Sequence, residues 1–313
     1  MNTKNYFLIF LTAIFLTACA ALSPVSMERK QPAVFASIND VKPQWLPFVN
    51  GAGFFHGKIA SARFEFYALM IDLIAPNIRI TVKDGGAAKT ALAAKAARAL
   101  SAKVSSFVRD NDLIAGINAV PFDVTSSVEG QPIKNLGIVI SDGELLSPVN
   151  LHYDALVFYD EYDPARETSP QGTSVRAAIV SQSSINDQSI QKIKNAVGGF
   201  YQILTDGEPA QRTRNNEQRH PRSTAGVSQD GRFLYLLVID GRRADSAGGT
   251  EEETALLLRA LGSHNGINFD GGGSSALAMR FPDGNVKVVN TPVHGMIPGQ
   301  ERAVAGCLGI SLQ

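Results

Sequence analysis

Hydrophobic and polar residues alternate with a period of two along several stretches of this chain. Between Arg63 and Val82, the side chains Phe64, Phe66, Ala68 and Met70 stand among more polar neighbours, and Ile78, Ile80 and Val82 do the same. Such alternation puts one set of side chains on one face of a strand, so two strands are predicted, broken at Ala75-Pro76-Asn77. Further strands are predicted at residues 113–118, at 136–140 before the turn Ser141-Asp142-Gly143, and at 200–204 before Asp206-Gly207. Residues 233–239 form a continuous apolar run, 266–269 a short one, and 303–311 the last. Residues 275–281 and 286–289 read as a hairpin across Pro282-Asp283-Gly284-Asn285.

Helical patterns are fewer. Residues 90–108 are rich in alanine, which costs least in a helix, and predict one; residues 189–196 predict a second. A third opens at Thr250-Glu251-Glu252-Glu253 and is closed by Gly262. Thr250 and Glu253 have the spacing of a capping box, in which each side chain satisfies a free amide of the first turn. That structural role suffices for Glu253. Residues 159–172 and 244–249 read as loops. Residues 211–222 carry five arginines and histidines without a period, which is long for a structureless loop and marks a candidate functional segment. Strands outnumber helices without strict alternation and no repeat is present. The expected class is α+β, a single domain with a mixed or antiparallel sheet and a few packed helices.

Composition adds the address. The chain has 313 residues, a formal net charge of zero, 44% hydrophobic residues and 28 glycines. The neutral balance argues against nucleic acid as a partner. Lys4 followed by an apolar run at residues 6–16, too short to span a bilayer, has the form of an export signal. Leu16-Thr17-Ala18-Cys19 resembles the bacterial lipobox, which implies cleavage before Cys19 and lipidation of that cysteine; a plain signal peptide with an incidental cysteine is the alternative. The expected organisation is a signal peptide at 1–18, a tether at 19–45 and one domain at 46–313. With Ala20 rather than an aspartate after the cysteine, the expectation is an exported protein, lipid-anchored in the bacterial outer membrane and facing the periplasm. Cys307, the other cysteine, reads as a small buried hydrophobe.

The candidate chemistry centres on Asn268-Phe269-Asp270-Gly271-Gly272-Gly273-Ser274-Ser275. Three glycines after a strand end let backbone approach a ligand and can form an anion-binding concavity. Asp270 adds a carboxylate, and Ser274 and Ser275 add hydroxyls. The segment lacks the Gly-Lys-Ser/Thr ending of a Walker loop and is not a Gly-x-Ser-x-Gly nucleophile elbow. Other polar residues stand near strand ends: Asn118, Asp123, His220, Arg222, Asp240 and Arg302. Each has a structural reading as well, such as a turn for Asp123 or Asp240, a surface arginine for Arg222 and an orienting role for His220. The other histidines have no metal-ligand spacing. No cofactor is required, although a divalent cation such as calcium or magnesium is compatible with the aspartates.

The 268–275 segment resembles the signature of the phosphodiester glycosidase family. The resemblance extends to His220-Pro221-Arg222-Ser223-Thr224-Ala225-Gly226, to Val238-Ile239-Asp240-Gly241-Arg242, to residues 248–258, and to Asn290-Thr291-Pro292 with Glu301-Arg302. Upstream, Ile117-Asn118-Ala119-Val120-Pro121-Phe122-Asp123 is similar to a family stretch that has glycines where Ala119 and Val120 stand. It implies an envelope hydrolase of a glycosyl phosphodiester or related glycosidic bond, with a glycan or sugar-phosphate substrate. Asp270 would be base or nucleophile, with Asp240 or Asp123 assisting. Arg222, Arg302 and the amides of Gly271, Gly272 and Gly273 would hold phosphate; Asn118, His220, Asn268, Ser274 and Ser275 would complete the site. A non-catalytic glycan- or peptidoglycan-binding module of the envelope is the alternative, made more plausible by Ala119 and Val120.

Overall fold

The computed structural model describes residues 32–84, 98–162 and 173–313. The signal segment and Cys19 lie outside these residues, as do the 90–97 part of the expected first helix and the 163–172 part of the expected loop.

The largest sheet has eight strands, each pair of neighbours antiparallel. Its central strands are Phe64–Asp72, Phe233–Ile239, Arg222–Val227 and Asn265–Asn268. A second sheet of five strands is built around Asp154–Tyr162 and Ile193–Gly198. A third, also of five, holds Ala115–Asn118 between Leu277–Arg280 and Gly306–Leu312. The main core forms where the three sheets face each other. Leu69, Ile71, Leu234, Leu236 and Val238 enter it from the first, Leu156, Phe158 and Val197 from the second, and Ile117, Leu277, Leu308 and Ile310 from the third. The opposite face of the large sheet carries Phe64, Phe66, Ala68, Leu237 and Ile239 and is covered by the helix Glu251–Leu261. The Phe233–Ile239 run is thus apolar throughout because both of its faces are buried. Each leucine that the helix buries there contributes about 1.5–3 kcal/mol.

That helix begins as the sequence predicts. Thr250 Oγ1 accepts from the Glu253 amide and Glu253 Oε2 accepts from the Thr250 amide, while Gly262 ends it at φ +115°. The strands predicted at 63–82 form as Phe64–Asp72 and Ile78–Asp84, but Ala75-Pro76-Asn77 carries the chain from the first sheet to the third, so they do not pair. The 275–281/286–289 hairpin forms as Leu277–Arg280 and Val286–Val288.

Four local expectations are corrected. Residues 189–196 hold only the end of a one-turn helix, Asp187–Ile190, capped by Asn186, followed by the strand Ile193–Gly198. Ile193, Ala196 and Val197 have helical spacing, yet pairing with Asp154–Tyr162 dictates the strand. Arg98–Leu100 is a strand paired with Pro132–Lys134, and among the described residues of that stretch helix is confined to Val104–Asp110. Residues 159–162 continue a strand rather than open a loop. Within the expected tether, Pro32–Asn39 is a helix, with Ile38 buried in the core beneath Glu251–Leu261.

Register brings the candidate residues to one end of the large sheet. Arg222 pairs with Ile239, and Thr224 pairs with Asn268. Arg222, Asp240 and Asp270 therefore emerge together. The third sheet meets them there, with Asn118 opposite Cys307 and Ile117 opposite Leu277.

Candidate active site

The glycine run follows the Asn265–Asn268 strand, and each glycine makes room for a different neighbour. A Cβ on Gly271 would lie 2.9 Å from the Pro221 carbonyl oxygen, so only glycine fits against that backbone. Gly272, at φ +61°, has the Arg242 guanidinium beside it, 2.9 Å from where a Cβ would stand. Gly273 has Arg302 Nη2 at 2.5 Å from the same position. The run thus seats two guanidinium groups, a planar cation suited to phosphate oxygens.

Asp270 sits in front of this pair. Its amide donates to the Ala119 carbonyl at 2.9 Å, and its own carbonyl accepts from Asn118 Nδ2 at 2.5 Å. Burial pushes its carboxyl up to about 6, against the opposing pull of the Ser274 hydroxyl and the Arg302 charge. Ser274 Oγ also accepts from Arg302 Nη1 at 3.1 Å. Arg302 Nε donates to His294 Nδ1 at 3.1 Å, which keeps that nitrogen an acceptor. Burial and the Arg302 charge hold His294 below its ordinary range, in keeping with a neutral ring.

His220 and Arg222 flank the cluster. Burial, with Arg222 and Arg242 nearby, holds the His220 imidazole below its usual value. The Arg222 guanidinium is buried. It donates to the carbonyls of Gly249 at 3.0 Å and Gln218 at 3.1 Å, and lies 3.6 Å from Glu251. Glu251 in turn accepts from the Tyr201 hydroxyl at 2.5 Å. Arg222 therefore braces the 211–222 segment against the helix start. Arg242 differs: it is exposed, its φ is +58°, and its charge reaches both His220 and Arg302. Left-handed backbone at a non-glycine residue is uncommon and concentrates at functional sites.

Asn118, expected to bind substrate, and Asp240, expected to assist catalysis, are both committed to the protein. Asn118 is fully buried; besides Asp270, it accepts from Ser223 Oγ at 2.7 Å and from the Ala276 amide at 3.1 Å. It pins the sheets together beneath Asp270. Asp240, 1% exposed, accepts from Asn290 Nδ2 and the Thr291 amide, both at 3.0 Å, and from Arg243 Nη1 at 2.8 Å. Burial raises its pKa against these partners. Asn290 also donates to the Ser275 carbonyl and accepts from the Leu277 amide, so Asp240 anchors the segment beyond the glycines. Asp123 is exposed, and its Oδ1 accepts from the Lys134 amide at 2.9 Å. The Gly272 amide donates to the Pro221 carbonyl, which takes it out of the expected set of three phosphate-binding amides. Asn268 Oδ1 and Ser275 Oγ are buried with no hydrogen-bond partner among the described residues.

Ala119 and Val120 belong to the main core, so replacing the family's glycines puts no side chain into the cleft. A Cβ on Gly306 would lie 2.7 Å from Val120 Cγ2, which shows where the added valine found its room. Sequence reasoning missed Arg242, His294 and Asn290 as site residues. Arg242 had a visible signal, since it directly follows Asp240-Gly241 in a motif already singled out. Among the described residues, no group of three or more His, Cys, Asp or Glu is placed to hold a metal ion. A cleft of about 560 Å³ lies elsewhere, lined by Arg79, Asp142, Lys194 and Asn195 among others, and holds none of the predicted site residues.

A strand-end cluster with one raised carboxyl and two guanidinium groups over a glycine run is suited to an anionic group such as phosphate. The phosphodiester glycosidase family model matches residues 111–311, and the chain belongs to that family. The catalytic domain of zebrafish N-acetylglucosamine-1-phosphodiester alpha-N-acetylglucosaminidase, solved auto-inhibited by its pro-peptide, has a similar fold. The TM-score is 0.58 at 19% identity, over 87% of this chain and 88% of that one. A hypothetical protein from Synechocystis matches with TM-score 0.57 at 15% identity, over 88% of this chain; the match spans 64% of the Synechocystis chain. A protein from Burkholderia pseudomallei matches with TM-score 0.53 at 14% identity, over 79% of this chain and 74% of its own. No curated protein matches the sequence.

Proposed function

We propose that this chain hydrolyses a glycosyl phosphodiester of the sugar-1-phosphate type, with Asp270 as the reacting carboxylate. The observation that carries the reading is the placement of Asp270, its carboxyl pushed up to about 6, beside Arg302 and the glycine run that seats Arg242. A carboxyl in that range is ionised at neutral pH and still basic enough to take a proton. Asp270 removes a proton from water, whose oxygen forms the new bond to the anomeric carbon; alternatively Asp270 attacks that carbon and water releases the sugar in a second step. In either course the bond from anomeric carbon to phosphate oxygen breaks and its electron pair stays on the phosphate. The products are a free sugar and a phosphate monoester. Phosphate leaves without a strong general acid, so stabilisation of its charge by Arg302 and Arg242 takes that acid's place. This accommodates the hydrogen-bonded commitment of Asp240, which then supports the site rather than reacting.

The test is release of free sugar from a panel of sugar-1-phosphodiesters by the protein and by Asp270→Asn. Release by the first and a loss of at least about a thousandfold in the second supports the reading. Unchanged release by Asp270→Asn overturns it, and binding of the panel without any release makes the protein a glycan-binding module.

We propose further that the protein acts at the outer membrane, facing the periplasm, held by lipid on Cys19. The support is the sequence of residues 1–20 alone. Incorporation of labelled fatty acid that persists in Cys19→Ser would refute the anchor.

A further inference from the structure

One flank of the charged cluster carries exposed apolar side chains. The turn His294–Met296 packs against the turn Gly272–Ser274, and His294 accepts the Arg302 hydrogen bond. Met296 and Ile297, which follow, are 65% and 56% exposed. On the other side of Arg302, Ala303 pairs with Ser126, in a loop that carries Val124 and Val128, 55% and 57% exposed. Ten large hydrophobic side chains are exposed among the described residues, and four of them lie on these two loops. Single exposed apolar residues need no account, but several on two loops that meet one charged cluster mark a ligand surface.

We infer that the phosphate of the substrate carries an apolar chain, so that the substrate class is the lipid-linked glycosyl phosphodiester. The inference rests on the reading of Asp270 and the two arginines given above. A phosphodiester has two ester oxygens. With the anomeric carbon at Asp270 and the non-bridging oxygens on Arg302 and Arg242, the second ester oxygen faces away from Asp270, along the flank of Arg302. That flank presents the thioether of Met296 and the alkyl groups of Ile297, Val124 and Val128. An alkyl or prenyl chain is matched to them, and each methylene fully buried there strengthens binding up to about fourfold. Cleavage yields the free sugar and the lipid phosphate monoester, with water as the only co-reactant.

The test compares methyl and octyl esters of the same sugar 1-phosphates, N-acetylglucosamine among them, with the octyl ester kept below its micelle concentration. The octyl ester should be favoured in kcat/KM by at least about tenfold, given several methylenes partly buried. The double variant Met296→Ser, Ile297→Ser should lose that preference while keeping its turnover of the methyl ester. A second measurement needs no turnover: calorimetric binding of octyl phosphate against methyl phosphate to Asp270→Asn, with and without the two serine changes. Octyl phosphate should bind more tightly, and the serine changes should abolish the difference. If no ester is cleaved, the hydrolase reading falls while the binding measurement still decides this one. Equal binding of the two phosphates overturns it, as does an octyl preference that survives both serine changes. Loss of binding to phosphatidylcholine vesicles in the double variant, with the octyl preference intact, overturns it too and makes the loops a membrane-docking face.

Discussion

Replacing Asn118 by alanine separates a structural pin from a sugar-binding group. The side chain is fully buried and makes three hydrogen bonds, to the Asp270 carbonyl, the Ser223 hydroxyl and the Ala276 amide. Its removal leaves three buried polar groups without their partner. At roughly 1–1.5 kcal/mol for each lost bond, the expected cost is about 3–4 kcal/mol. Total stabilities of about 5–15 kcal/mol make that a large fraction. For a domain of this size each kcal/mol lowers the melting temperature by about 2–4 °C, so a fall of about 10 °C is expected. Thermal melts followed by circular dichroism, with urea titrations to confirm an unchanged slope, measure it. A purely substrate-binding asparagine predicts the opposite pattern, with activity lost and stability kept. A melting temperature within about 2 °C of the parent protein would refute the pinning role.

Asp270 also has a signature in stability. Its folded pKa lies above the ordinary carboxylate value, so the folded state holds the proton more tightly, and the stability this gives below about pH 4 is lost as pH rises through about 6. Asp270→Asn should therefore be more stable than the parent by about 3 kcal/mol at pH 7.5, with the gain gone near pH 4; urea titrations at both pH values check it. In the parent protein, kcat/KM should fall about tenfold per pH unit below about pH 6, and a flat profile there would exclude Asp270 as the base. Asp240→Ala removes the acceptor of Asn290, Thr291 and Arg243, while Arg243 keeps Asp245 and Glu65, so at about 1 kcal/mol for each lost bond chemical denaturation should show a loss of about 3 kcal/mol rather than an intact fold with slowed chemistry. Arg242→Ala should leave the melting temperature within about 2 °C of the parent. It should lower kcat by about 10²-fold, and a normal kcat would remove that side chain from the phosphate site.

The parts of the fold set by local chemistry were readable along the chain. The Thr250–Glu253 box and Gly262 bound a helix by hydrogen bonds between near neighbours, and Phe233–Ile239 is apolar because a central strand must be. Residues 189–196 were misread because the spacing of Ile193, Ala196 and Val197 suits a helix, while distant pairing with Asp154–Tyr162 decides for a strand. At the site, sequence placed Asn118 and Asp240 at strand ends, where the structure also has them. It could not tell whether those side chains turn toward solvent or toward backbone groups far off in the chain, since Ser223, Ala276 and Thr291 are more than fifty positions away. Arg242 was legible only as part of a motif. Its left-handed backbone and its seat over Gly272 exist only once the strands are assembled.

The contact between Val120 and Gly306 bears on how this protein can be engineered. The Val120 side chain fills space that the bare backbone at 306 leaves open. The two positions behave as a lock and its matching key, cut together. Replacing Val120 by glycine would open a hole beside residue 306, whereas enlarging residue 306 alone would collide with the valine. A larger residue at 306 therefore needs a smaller one at 120, although the two lie far apart in the sequence.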